Sequence, residues 1–267
     1  MKLAILIFAS ALGIYIGLFL LLFFFQRSLV YYPTTGKILP IDYGLPEMDS
    51  VELITEDGIS LTSWYKPPSN PSKLTILYFH GNAGHIGHRA LKVKPFLNYG
   101  YGLLLLSYRG YGPNNGKPTE SNLYLDGKAA FNFLIEQNIP IHKLVFYGES
   151  LGTGVAIELA QNKAIAALVL EAPFTSLPEI AKHHFPFFPT TLVLKDKYTS
   201  VSKVENLKTH LLVLHGRKDQ TIPFKFGQKL FNMAKVEKQL YEFPEAGHNN
   251  IYSYNAPSKI IRFLAPL

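Results

Sequence analysis

The sequence predicts an α/β fold: a mostly parallel central sheet flanked by helices, preceded by one apolar N-terminal helix. Three observations predict it. Apolar runs recur at residues 74–79, 103–106, 144–147, 167–170, 211–214 and 239–243, with helical segments between them. Continuous rather than alternating apolarity means that both faces of such strands are covered. The run ending at Tyr147 leads directly into Gly148-Glu149-Ser150-Leu151-Gly152 and then a helical stretch over 153–162, which marks a sharp strand-to-helix turn. Finally, residues 3–25 contain no charged side chain.

Taken in chain order, the N-terminal stretch comes first. A helix over 3–25 reaches about 35 Å at ~1.5 Å per residue, enough to cross a hydrocarbon core with some tilt. A cleavable signal peptide is the main rival. Its apolar region is shorter and ends at small residues, whereas here Ala9-Ser-Ala11 comes early and the far end, Leu21-Leu-Phe-Phe-Phe-Gln-Arg27, is bulky. Residues 1–26 are therefore expected to be an uncleaved anchor of a single-pass membrane protein. Tyr31 and Tyr32 suit the membrane–water interface. Lys2 and the amino terminus on one side nearly balance Arg27 and Lys37 on the other. The short N-terminal tail and the likeness to signal anchors favour an N-in topology, with the remaining chain on the outer, non-cytoplasmic face.

Residues 27–50 are interrupted by Pro33, Gly36, Pro40, Gly44 and Pro46 and read as a linker packed along the following domain. Residues 51–54 and 60–65, split by Glu56-Asp57-Gly58, read as an antiparallel hairpin. Residues 51–267 are expected to form one α/β domain, the usual outcome for a chain of this size. No internal repeat is present.

The chemistry sits at strand ends. Ser150, on its tight turn, would be lifted above the sheet edge, and the helix behind it favours the negative charge that develops when a carbonyl is attacked. Such a serine needs a base, and the base needs an orienting acid. In the chain order Ser, Asp/Glu, His, Asp219 follows the strand 210–216, and His248 follows the strand 239–243 through Pro244-Glu-Ala-Gly247. Taken singly, these two residues read as a turn aspartate and a loop histidine. In this order, each beyond a strand C-terminal end, Ser150, Asp219 and His248 read as a catalytic triad. A fourth element agrees: the strand 74–79 ends in His80-Gly81-Asn82-Ala83-Gly84. The backbone N–H groups of Asn82 and Leu151 would form the oxyanion hole. The bland readings of that loop are a glycine-rich turn or a phosphate cradle, but no G-x-x-x-x-G-K-[ST] or G-x-G-x-x-G pattern follows.

The His80–Gly84 loop, Ser107-Tyr-Arg-Gly-Tyr-Gly112, Gly116-Lys-Pro-Thr-Glu120, the Ser150 turn, Glu171-Ala-Pro-Phe-Thr175, Asp219 and Gly247-His248 together resemble the serine α/β-hydrolase superfamily. More narrowly they resemble its membrane-anchored, "α/β-hydrolase domain-containing" branch of lipases, lysophospholipases and acyl-protein thioesterases. The resemblance runs from about Val51 to the C-terminus and implies the α/β-hydrolase fold. It also implies a serine hydrolase that cleaves carboxylic esters or thioesters through an acyl-enzyme. An amidase or oligopeptidase of the same fold, and a catalytically silent membrane scaffold, are the rival readings. Glu149 and Ser107 depart from the family, which often has His or another polar residue before the nucleophile and Asp before Tyr-Arg-Gly. The resemblance further implies a small lid at about 176–205, where His183-His-Phe-Pro-Phe-Phe-Pro189 breaks the strand–helix rhythm. The alternative is that these aromatics cap the sheet.

Composition bounds the partners. Lys and Arg outnumber Asp and Glu by 26 to 19, for a net charge of +7. The basic residues come in scattered pairs such as Lys92/Lys94 and Arg217/Lys218, so no nucleic-acid surface is expected, and anionic lipid headgroups suit a diffuse positive field better. His85/His88 and His183/His184 lack carboxylate partners at ligand spacing, and the chain has no cysteine. Neither a metal nor a cofactor is expected. The expected partners are membrane lipids and an acyl ester or thioester substrate, with the chain a monomer. Because the whole triad lies beyond Leu74, removing residues 1–26 is expected to leave turnover of soluble esters intact.

Overall fold

The computed structural model describes residues 1–267. The first element, α1 (Lys2–Val30), is a single 29-residue helix about 43 Å long. It runs four residues past the boundary suggested at residue 26. Arg27 lies in its last turn, where a cation complements the helix dipole. The Asn82 side-chain amide donates to the Val30 carbonyl at 2.9 Å, satisfying one of the orphan acceptors of the C-terminus. Residues 2–14 stand clear of the rest of the chain.

Residues 31–48 pack along the domain. The short strand β1 (Tyr32–Pro33) pairs in parallel with β5 (Ala83–Gly84), and Ile38, Leu45 and Met48 are buried. Tyr31 is buried too, with its hydroxyl 3.0 Å from that of Tyr198. It is a core residue, not an interfacial one; Tyr32 alone of the pair is exposed.

The hairpin forms as β2 (Asp49–Ile54) and β3 (Ser60–Lys66). Its turn is clamped by Arg109, whose guanidinium binds Asp57 at 2.6 and 2.9 Å and buried Asp126 at 2.7 Å. The remaining strands are β4 (Thr75–Phe79), β6 (Gly102–Leu106), β7 (Leu144–Glu149), β8 (Ala167–Glu171), β9 (His210–Gly216) and β10 (Lys238–Phe243). They join β2 and β3 in one eight-stranded sheet of order β10-β9-β8-β7-β4-β6-β3-β2. Every pairing from β6 to β10 is parallel, and β3 alone runs against the others, so that its pairings with β6 and β2 are antiparallel.

Alternate residues of the central strands feed two separate cores, as a period of two requires. Leu77, Phe79, Leu144 and Phe146 face one; Ile76, Tyr78, Val145 and Tyr147 face the other. Helices α3 (Glu120–Glu136), α4 (Leu151–Ala160) and α7 (Phe224–Met233) cover the first core. Helices α2 (Ala90–Asn98) and α8 (Ala256–Leu264) cover the second. Two further helices, α5 (Leu177–His184) and α6 (Thr190–Val193), leave the sheet after β8. The segment 176–205 divides in two: 177–194 stands over the Ser150 rim, whereas Tyr198 and Val204 are buried in the first core.

Candidate active site

Ser150 joins β7 to α4 at φ 52° and ψ −116°. A side chain other than glycine at positive φ is held there only by its surroundings. The Ser150 N–H donates to the Glu171 carbonyl at 2.8 Å, and the Thr153 hydroxyl donates to the Ser150 carbonyl at 2.6 Å. The two glycines of the turn are required by space: a Cβ on Gly152 would overlap the Phe79 carbonyl, and one on Gly148 would lie 2.6 Å from the Thr153 Cα.

The loops beyond β9 and β10 bring Asp219 and His248 to this serine. His248 Nε2 lies 3.0 Å from Ser150 Oγ, and its Nδ1 lies 2.7 Å from Asp219 Oδ2. The other Asp219 oxygen accepts the backbone N–H groups of Thr221 and Ile222 at 2.9 and 2.8 Å. Burial alone would raise the Asp219 pKa, but hydrogen bonds from His215 and His248 and the Ile222 amide reverse it. The carboxyl is held well below the usual range, so it is ionised wherever His248 needs a partner.

Asn82 and Leu151 line the same cavity as Ser150. No loop or cap carbonyl takes the N–H of either residue. The Asn82 carbonyl, in contrast, accepts from the Tyr32 N–H and the Tyr111 hydroxyl at 2.9 and 2.8 Å, which fixes the plane of the peptide behind it. His80, at the head of this loop, is fully buried, and burial pushes its ring down to about 3. It is a neutral packing residue against Tyr108 and Tyr111. The cavity measures about 280 Å³ and has 21 lining residues, 15 of them hydrophobic. Leu177, Ile180, Phe185, Phe188 and Leu194 of the segment 177–194 also line it.

Behind the serine lies a charged cluster that no single motif announces. Glu149 and Glu171 are register partners at the ends of β7 and β8. Arg89 binds Glu149 at 3.0 Å, and Lys92 bridges Glu149 and Glu171 at 3.0 and 2.7 Å. The hydroxyls of Tyr78 and Tyr147 donate to the same two carboxylates at 3.0 and 2.7 Å. Arg89 also donates to the Ala83 carbonyl at 2.7 Å. One guanidinium thus ties the residue after Asn82 to the residue before Ser150. The departure at Glu149 has its physical reason here.

Burial favours the neutral Glu149 acid, but Lys92 and Arg89 outweigh it and hold the carboxyl well below its ordinary range. A depressed carboxyl pKa adds stability that is full above the unfolded value of about 4.3 and is lost as pH falls towards the folded one. Glu149→Gln is therefore expected to lower the urea midpoint at neutral pH and to flatten its decline below about pH 4. A mutant that keeps the full acid limb of the wild type would contradict this.

The sheet order, the serine turn at the end of β7 and the strand-end loops that converge on it define an α/β hydrolase. Comparison with known proteins agrees. The family model described as "Serine aminopeptidase, S33" matches residues 70–197. Protein bem46 of Schizosaccharomyces pombe is 33% identical over 86% of this chain and 82% of its own length. The lysophosphatidylserine lipase ABHD12 of Danio rerio is 31% identical over 75% of this chain, which spans 62% of that lipase. Among solved structures, the Pyrococcus furiosus esterase Pf2001 superposes with a TM-score of 0.72 at 23% identity, over 88% of this chain and 98% of the esterase. The chain belongs to the α/β-hydrolase superfamily, in its ABHD-like branch.

Proposed function

We propose that this protein is a membrane-anchored lipase-type hydrolase that cleaves the carboxylic ester or thioester of an acyl lipid through Ser150, His248 and Asp219. The observation that carries the reading is the unbroken chain from Ser150 Oγ through His248 to Asp219, at 3.0 and 2.7 Å. His248 takes the Ser150 proton as the hydroxyl attacks the acyl carbonyl and later gives it to the leaving group. Asp219 holds the imidazole with its proton on Nδ1 and stabilises the cation that forms. The N–H groups of Asn82 and Leu151 receive the oxyanion, and water then releases the acid from the acyl-enzyme.

The apolar lining supports an acyl group as the bound moiety. It also weighs against an aminopeptidase substrate, because no acidic side chain lines the cavity to receive an N-terminal ammonium. The lysophospholipid substrate in the name of the zebrafish relative points the same way. The length and apolarity of α1 support the anchor.

Ser150→Ala, purified in detergent, is expected to lose all fluorophosphonate labelling and all turnover of short p-nitrophenyl esters while unfolding at the wild-type temperature. Turnover retained in that variant would sink the assignment.

A further inference from the structure

The cavity at Ser150 has an unexpected wall. Phe19, Leu22, Phe23, Gln26, Leu29 and Val30 all line it. Their spacing of three and four residues places them in one stripe along α1. The stripe covers about 16 Å of helix. It begins at Val30, whose carbonyl is held by Asn82 of the oxyanion loop, and leads away from the domain. Tyr15 continues it one turn further: its ring stacks on Phe188 at 5.4 Å and its hydroxyl donates to the Phe187 carbonyl at 2.9 Å.

Polar bonds lock the helix in this place at its inner end. Arg27 binds buried Asp196 at 2.9 Å, and the Gln26 carboxamide accepts from the Lys195 N–H at 2.7 Å. Beyond Tyr15 nothing covers α1.

The turn between α5 and α6 lies beside this outer end, and with α6 it presents apolar side chains outwards. Phe187 is 85% exposed and Leu192 83%. Little of the turn's backbone is left unpaired: Pro186 and Pro189 have no N–H to satisfy, the N–H groups of Phe185, Phe188 and Thr190 bond locally, and Tyr15 takes the Phe187 carbonyl, which leaves the Phe187 N–H as the one donor without a partner. With Arg27 at the aqueous boundary, Tyr15 lies 12 residues along α1, about 18 Å into a hydrocarbon core of ~30 Å. The turn at 185–189 and the outer half of the cavity then sit at the depth of the acyl chains.

We propose that α1 is one wall of the acyl site, and that a single-chain acyl lipid enters it sideways from the bilayer, between α1 and the turn at 185–189. Its tail lies along the α1 stripe and its ester carbonyl reaches Ser150. The inference rests on the ester-hydrolase reading of Ser150. A volume of about 280 Å³, at the small end of ligand sites, suits one chain rather than two. The sequence suggested a removable tether and a self-sufficient enzyme; on this proposal Phe19, Leu22, Phe23 and Gln26 of the anchor belong to the acyl site as well.

The test uses the full chain in phosphatidylcholine vesicles. A long-chain alkyl fluorophosphonate with a diazirine at the far end of its tail is attached to Ser150 and irradiated, and the cross-linked peptides are read by mass spectrometry. Cross-links are expected within residues 15–23 of α1 and 185–188 of the facing turn. Cross-links confined to α2, α7 or bulk lipid would overturn the proposal, whereas failure of the probe to label Ser150 would defeat the underlying hydrolase reading instead. Independently, Leu22→Trp, which fills the stripe, is expected to lower the ratio of palmitoyl to butyryl ester turnover by about tenfold or more. An unchanged ratio would overturn the assignment of α1 as the tail-binding wall.

Discussion

Replacing His248 with alanine is expected to lower kcat/KM for a soluble ester by about five to six orders of magnitude, and Asp219→Asn by about four. The two effects differ for a structural reason. Without His248 nothing within reach of Ser150 Oγ can take its proton, since His248 Nε2 is its recorded side-chain partner. In Asp219→Asn the oxygen facing Thr221 and Ile222 can be kept, so the loop stays folded. The amide nitrogen would then face His248 Nδ1 and favour the tautomer with its proton on Nε2, which cannot accept from serine. Single-turnover rates with p-nitrophenyl butyrate separate the two variants, and circular dichroism checks that both are folded. A His248→Ala enzyme within tenfold of the wild type would remove this residue from the mechanism.

Arg89→Leu is expected to destabilise the protein by about 3–5 kcal/mol, because it strands Glu149 in a buried site with one cation fewer. For a domain of this size that is a fall in Tm of roughly 6–20 °C. Activity should also fall below the melting point, by up to about 10²–10³ in kcat, the range for loss of an oxyanion donor. Arg89 alone joins the Ala83 carbonyl to Glu149, and without it the Asn82 and Leu151 N–H groups are no longer held in one frame. Arg89→Lys keeps the charge but not the planar fork, and is expected to recover more stability than kcat. Thermal unfolding and kcat, measured on the same preparations in detergent, report the two roles separately. A Leu variant with the wild-type kcat below its melting point would confine Arg89 to stability.

What the sequence reveals about this molecule is local, and what it conceals is assembled from distant parts. The central strands β4, β6, β7, β8 and β9 are legible because each holds a continuous apolar run. Ser150 is legible because its flanking glycines are demanded by backbone contacts within one turn. Asp219 and His248 stand at strand ends, and the structure brings both to Ser150. The meeting of Arg89, Lys92, Glu149 and Glu171 is not legible, because it depends on β4, β7 and β8 being neighbours, which no spacing along the chain encodes. Tyr31 was misplaced at an interface because its partner, Tyr198, is 167 residues away. The stripe on α1 is hidden for a different reason. A helix that is apolar all round offers no contrast between one face and another, so its cavity-lining side looks like its lipid-facing side.

The lock between α1 and residues 193–198 has a consequence for how the chain is made. Gln26 and Arg27 bond to partners 167 to 169 residues further on. At ~5–20 residues per second, a ribosome delivers those partners roughly ten to thirty seconds after the helix. Through that interval α1 is finished while everything it will close upon is absent. Its docking is a contact of very long sequence separation, the sort that forms late. Maturation is then timed by the meeting of the first helix with a segment that follows β8, and the order of synthesis ensures that the helix is always the one that waits.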